Sequence, residues 1–447
     1  MEQDLTTGSV FKRIVYFSLP YLLSYFLQTL YGMADLFITG QFYGVDTITA
    51  VSNGSQIMHM MTVIIVGLAM GTTVTIGHSV GAKCMEQAEK IIGNTITLFM
   101  GIAVAFTVIL VVLVKPIVVL IATPQEAVAG TSVYLLICFI GIPFITAYNI
   151  ISSIFRGLGD SKSPMYFIGI ACVMNIALDY LFMGAFHMGA AGAALGTVCA
   201  QTFSVLVALW VIRRRKTGIS LKKNDFKIER AVIGQVLKIG IPVALQDGFI
   251  QVAFMIITVI ANSRGVSDAA AVGVVEKVIS ALFIVPSSML ATVSALSAQN
   301  LGAGKEKRAT DTLRYATVIT TIYGMIVAVL IQFIAENVVG IFTSDTTVVT
   351  MGSAYIRSYI WDCIFAGIHF SFSGYFAACG KSYIGFLHNI ISITFVRVPS
   401  SYLASKYFTD TLYPMGLAAP AGSLVSVAIC VTAFILLKKK SRVAQTA

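Results

Sequence analysis

Asn175 and Asp179 stand four residues apart in an otherwise apolar run from Pro164 to about Gly184. On a helix that spacing puts both on one face. The run has membrane-spanning length. A charge inside such a run is expensive, so intramembrane carboxylates face a partner or a water-filled space and mark functional sites. Asp35 is a second lone carboxylate, in the first apolar run, Ile14 to Gly40. A carboxyl group away from positive charge holds its proton more tightly, and two brought together raise one another's affinity further. Such a pair can hold a proton at neutral pH and release it when the site hydrates. Carboxylate, amide and hydroxyl oxygens equally suit a hard cation such as Na+. These residues therefore predict the binding of H+ or of Na+.

The elements that position them are membrane helices. Of 447 residues, 57% are hydrophobic and 11% charged, with mean hydropathy +0.87. A soluble globular chain carries roughly 25% charged residues. The composition thus predicts an all-α, multi-pass membrane protein. Twelve spans are expected, near 14–40, 47–77, 91–114, 126–155, 164–185, 189–212, 236–261, 269–298, 313–334, 350–376, 383–403 and 414–437. The opening MEQDLTTGSVFKR is polar and the run after it is long, which argues against a cleaved signal peptide. The net charge of +10 comes from short basic clusters between apolar runs, which speaks against nucleic acid. Placing both termini in the cytoplasm puts twenty-four of the thirty Lys and Arg inside. Only Lys115, Arg264 and Lys406 then lie outside, while Lys277, Arg357 and Arg397 fall within spans. The seven Cys and five His are dispersed with no metal-ligand spacing, so no cofactor is expected.

The stretch Arg213 to Arg230 is the longest polar segment and divides the spans six and six. We read residues 1–212 as an N-terminal lobe, 213–235 as a solvated cytoplasmic linker and 236–447 as a C-terminal lobe. The halves repeat at an offset of about 221 residues, the mark of parallel repeats. Ser18-Leu19-Pro20 answers Gly240-Ile241-Pro242, and Gly81-Ala82-Lys83 answers Gly302-Ala303-Gly304. Gly157-Leu158-Gly159-Asp160-Ser161 answers Ala378-Cys379-Gly380-Lys381-Ser382. Two six-helix bundles related by a pseudo-two-fold axis along the membrane normal are expected, with a substrate cavity between them. Pro20 removes a backbone hydrogen bond inside the first span and is a candidate bend.

FSLPYLLSYFLQTLYGMADLFITGQFYG, SVGAKCMEQAEK, RGLGDSKSP and NIALDYLFMG, in this order, resemble the MATE (multidrug and toxic compound extrusion) family. The resemblance is to its prokaryotic branch related to DNA-damage-inducible protein F, and it covers essentially the whole chain. It implies cation-coupled antiport of organic, often cationic, compounds by alternating access across the cell membrane. It also implies an N-lobe cation site, whose positions fall here on Asp35, Asn175, Asp179 and Thr197. Counting about 1.5 Å per residue from each outer helix end puts all four in the outer half of the bilayer, at depths of roughly 8–15 Å.

Repeat arithmetic pairs Asp35 with the neighbourhood of Ile257 and Asp179 with that of Ser400, so this site is not duplicated. Asp247 and Asp362 are candidate cavity charges of the second lobe. Gln28, Tyr31 and Asn149 are candidates for the first. No role follows from sequence for Glu276 or Lys277. RGLGDSKSP reads as a turn; it lacks the phosphate-loop spacing, so ATP hydrolysis is not expected. The expected partners are a small organic substrate and membrane lipid, with no nucleic acid, around a monomer. One alternative is a lipid-linked saccharide flippase of a related fold, but its cavity should be rich in Arg and Lys, and the spans hold only three. The other is an integral membrane enzyme, which would need a DxD or paired-His cluster, and the sequence has none.

Overall fold

The computed structural model describes residues 4–214 and 220–446, and every regular element in it is helical. The first helices are α1 (Val10–Phe42), α2 (Val45–Gly81), α3 (Met85–Leu120), α4 (Val128–Ile140) and α5 (Ile142–Gly157). They are followed by α6 (Lys162–Asp179), a π-helical turn (Tyr180–Ala185) and α7 (Gly189–Arg214). Next come α8 (Arg230–Asn262), α9 (Val266–Leu282), α10 (Ile284–Gly302), α11 (Glu306–Gly340), α12 (Thr346–Tyr359) and α13 (Asp362–Ala378). The chain closes with α14 (Tyr383–Ser392), a second π-helical turn (Ile393–Arg397), α15 (Val398–Tyr407), α16 (Tyr413–Gly416) and α17 (Ala418–Thr446).

Among the described residues, eight helical stretches are individually long and apolar enough to cross a membrane, or nine with the bent pair α4 and α5. The expected spans 14–40, 350–376 and 383–403 are helical but do not reach that mark. Polar residues explain the first, where Gln28, Thr29, Asp35 and Thr39 interrupt α1. A break around Ile360 shortens the second, and His388, Asn389 and Arg397 interrupt the third. The pair α4 and α5 bends by 51° at Gly141, just before Pro143, which lacks an amide donor. Pro20, by contrast, lies inside an uninterrupted α1. The RGLGDSKSP segment is a turn as expected: Gly159 has φ +93, and Asp160 Oδ1 accepts from the amides of Lys162 and Ser163 at the start of α6.

The chain forms two compact units. The first comprises Val15–Ala244 with Met1–Thr7 and Ala298–Gly304, and the second Leu245–Ser297 and Lys305–Ala447 with Gly8–Ile14. Glycine explains why the first half of α8 belongs to the first unit. A Cβ on Gly71 of α2 would lie 2.1 Å from the Val236 carbonyl oxygen, and one on Gly240 would lie 2.3 Å from that of Leu68. Bare backbones thus meet, the usual means of close helix approach in membranes.

Residues 225–229 of the linker are docked rather than freely solvated. Asn94 on α3 donates to the Asp225 carbonyl at 3.0 Å and accepts the Glu229 amide at 2.7 Å. Thr97 donates to the Phe226 carbonyl at 3.0 Å. A side chain on Gly93 would meet the Asp225 carbonyl at 2.3 Å, so only glycine admits this contact. Arg215 and Lys216, both part of the expected basic linker, lie outside the described residues.

In the second unit, α9, α11 and α12 share an apolar core that includes Val275, Ile331, Val339, Tyr355 and Tyr359. Arg264, just after α8, organises one end of it. Its guanidinium bonds Asp268 at 2.7 Å and the carbonyls of Ser405, Phe408 and Thr409 at 2.9 Å each. The forked donor suits several acceptors at once, and two of these carbonyls close the C-terminal end of α15, where helix carbonyls otherwise lack partners.

Candidate functional site

The four positions singled out by sequence come together inside the first unit. Asp35 on α1 is 3% exposed, Asn175 and Asp179 on α6 are 0% exposed, and Thr197 on α7 is 7% exposed. Asn175 Nδ2 donates to Asp179 Oδ1 at 3.5 Å, and Thr197 Oγ1 donates to Asp35 Oδ2 at 3.4 Å. Both distances exceed the usual range for good hydrogen bonds. The Asp35 carboxyl also lies beside Asp179 and Asn175. Three oxygens in this cluster have no hydrogen-bond partner: Asp35 Oδ1, Asn175 Oδ1 and Asp179 Oδ2. An unmet buried polar atom costs about 1–3 kcal/mol, and more if charged. Three such acceptors, gathered from two helices, stand together without a donor.

The surrounding structure fixes that arrangement. The π-helical turn begins at the residue after Asp179, and such turns are frequent at functional sites. Tyr43, at the end of α1, donates to the Met183 carbonyl at 3.1 Å and accepts the Gly189 amide at 2.9 Å. One phenol thereby holds the π turn and the start of α7 against α1. Gly196 leaves room for the acid: a Cβ there would lie 2.1 Å from Asp179 Oδ1. Sequence reasoning missed Gly196, although Gly192 and Gly196, four apart, mark a helix face able to approach a neighbour closely. Among the described residues, no cluster of three or more His, Cys, Asp or Glu could hold a metal ion. A cation at this site would depend on neutral oxygens from Asn175 and Thr197 as well as on the two acids.

The other candidates do not share one location. Tyr31 is half-buried beside the site, with its hydroxyl in reach of Thr197. Gln28 is half-buried on the same helix. Asn149 is buried and donates to the Ile145 carbonyl of its own helix, α5, at 2.8 Å. Asp247 is half-buried on α8 in the second unit. Asp362 is 1% exposed and lies near Ser423 and Arg397 of that unit.

The MatE family model matches the chain twice, over residues 20–181 and 242–403. The two matches start at Pro20 and Pro242, the pair that the sequence repeat equates. "Probable multidrug resistance protein YpnP" of Bacillus subtilis is 30% identical over 405 residues, covering 90% of each chain. "Multidrug export protein MepA" of Staphylococcus aureus is 23% identical, covering 83% of this chain and 82% of its own. Among solved structures, "Crystal structure of MATE in complex with MaL6" superposes with a TM-score of 0.90 at 20% identity, covering 99% of both chains. "Outward-facing conformation of a multidrug resistance MATE family transporter of the MOP superfamily" also reaches 0.90, at 21% identity over 97% of this chain and 98% of its own.

Proposed function

This chain belongs to the MATE family, and from that premise we propose that it is a cation-coupled antiporter exporting organic, cationic compounds. The observation that carries the reading is the set of three unpartnered oxygens on Asp35, Asn175 and Asp179. They face one another from α1 and α6, inside a multi-pass membrane protein, with Thr197 contributing from α7. A proton or a sodium ion joining them would relieve the two acids' mutual repulsion and meet the unmet acceptors together. Such an ion favours the arrangement in which α1 and α6 are close. A substrate that favours the other arrangement is then linked to the ion with opposite sign, which is antiport. Both termini are cytoplasmic in this reading, and the protein sits in the cell membrane as a monomer.

The basic residues in the spans weigh against a pyrophosphate-holding flippase. Arg357 pairs with Glu336 at 3.2 Å, Lys277 is exposed, and Arg397 donates to the Tyr359 hydroxyl. Transport into proteoliposomes, with sodium and proton gradients imposed separately, tests the proposal. Uptake of an organic cation should be driven by one of the two gradients and should vanish in Asp179→Asn. Uptake that follows neither gradient would refute it.

A further inference from the structure

The docked linker covers one end of the lipid-facing side of α3. Gly93 and Thr97, which the linker touches, share a helix face with Val104 and Val108. Val104 and Val108 are exposed, as is Val112 further along. On a membrane helix these valines meet acyl chains. Seven residues at about 1.5 Å each put Val104 roughly 10 Å along the axis from Thr97. The linker therefore sits where the apolar stripe gives way to headgroups. Trp210, near the end of α7, is exposed too, with the Arg214 guanidinium 5.1 Å from the centre of its ring. An exposed Trp beside a basic residue is usual at the boundary between membrane and water.

The inward side of the linker is spent on polar contacts. Besides the bonds from Asn94 and Thr97, the Ser220 amide donates to Glu89 Oε1 on α3 at 2.6 Å. A single 3-10 turn, Lys223–Phe226, follows, and Asp225 Oδ2 accepts the Lys222 amide at 2.6 Å. The outward side carries the apolar groups. Leu221, Phe226 and Ile228 are exposed, interleaved with exposed Lys222, Lys223 and Lys227. Of the two acids between residues 220 and 230, Asp225 is buried and only Glu229 is exposed.

Single exposed apolar side chains are ordinary on protein surfaces. Three in one short segment, on a backbone pinned to the lipid-facing side of a helix, are placed to enter that lipid. Interfacial anchors combine buried apolar area with basic charge, and a Lys near an anionic surface strengthens the attraction about fivefold. We propose that residues 221–228 form such an anchor. Leu221, Phe226 and Ile228 enter the boundary between headgroups and acyl chains, and Lys222, Lys223 and Lys227 bind the phosphates of anionic phospholipid. The anchor draws nothing from the cation site on Asp35 and Asp179.

Quenching by brominated lipid tests the anchor on the purified full-length protein. Trp210→Phe and Trp361→Phe remove both native tryptophans, and Phe226→Trp then adds one reporter. The protein is reconstituted in equal mixtures of phosphatidylglycerol and phosphatidylcholine. In each mixture only one of the two lipids carries bromine, near the carbonyl end of its chains. Emission should be quenched in both mixtures, and about threefold or more strongly when the phosphatidylglycerol is brominated. Lys222→Gln, Lys223→Gln and Lys227→Gln together should abolish that preference and leave quenching in place. Ile228→Trp in the same background should give the same pattern, and it replaces Phe226→Trp if that variant is not recovered. Absence of quenching in the reporter variants would put the segment in water and overturn the proposal. Equal quenching by the two lipids with the lysines intact would overturn it as well, as would a preference that survives their loss.

Discussion

Gly196 on α7 lies against the carboxylate of Asp179 on α6, so close that a Cβ would stand 2.1 Å from Oδ1. Asp179 is fully buried and cannot swing into solvent to make room. Gly196→Ala should therefore displace the acid. By helix propensity alone the same change stabilises an interior position by about 1 kcal/mol. We expect a well-folded protein whose cation-dependent transport falls at least tenfold, about 1.4 kcal/mol in barrier terms. Unchanged transport, alongside an unchanged unfolding temperature, would show that this contact does not matter.

The two acids of the first unit should outweigh Asp247. Asp35→Asn and Asp179→Asn each remove one member of a mutually facing pair. Each should abolish coupled transport while leaving expression intact. Asp247 is half-buried in the other unit, so Asp247→Asn should be milder. Initial uptake rates normalised to protein in the liposome decide between these outcomes.

Ion and substrate should weaken one another equally. Linkage demands one factor in both directions, and a coupling of about 1–3 kcal/mol corresponds to roughly 5–150-fold. Substrate affinity, followed by calorimetry, should decline as sodium or proton concentration rises. Asp179→Asn should lose that dependence. A flat titration in transport-competent protein would detach these acids from coupling.

Arg264 should be a stability residue. Its side chain is 6% exposed and joins Asp268 to the carbonyls of residues 405–409. Arg264→Ala leaves that acid and those carbonyls unpaired, a loss of about 3 kcal/mol. The unfolding temperature should drop by several degrees, with Arg264→Lys recovering only part because it lacks the fork. An unfolding temperature equal to wild type in Arg264→Ala would contradict this.

Orientation can be read by labelling a variant whose native cysteines have been removed. Lys406 is exposed in the last turn of α15 and Asp410 just beyond it, and Lys222 and Lys227 are exposed on the docked linker. An impermeant thiol reagent added to intact cells should modify Lys406→Cys and Asp410→Cys. It should spare Lys222→Cys and Lys227→Cys. Labelling of the linker pair from outside would invert the assigned topology.

Long apolar runs, lone acids and basic clusters are local properties. The sequence by itself therefore determined an all-helical membrane protein, its division into repeats and the candidate residues Asp35, Asn175 and Asp179. It also marked the turn at Gly159. It did not reveal the docked linker, because a short polar stretch looks the same whether solvated or clamped by Asn94. It left Glu276 without a role, since its hydrogen-bond partner Thr258 lies on another helix, α8. Thr197 and Asp35 are 162 residues apart in the chain, and only the packing of α7 against α1 brings them within a hydrogen bond. Which carboxylate oxygens stay unpaired, and whether a neighbouring backbone leaves room for them as at Gly196, depends on side-chain and backbone contacts between distant helices. Those contacts exist only once the helices have packed, so no local pattern in the sequence carries them.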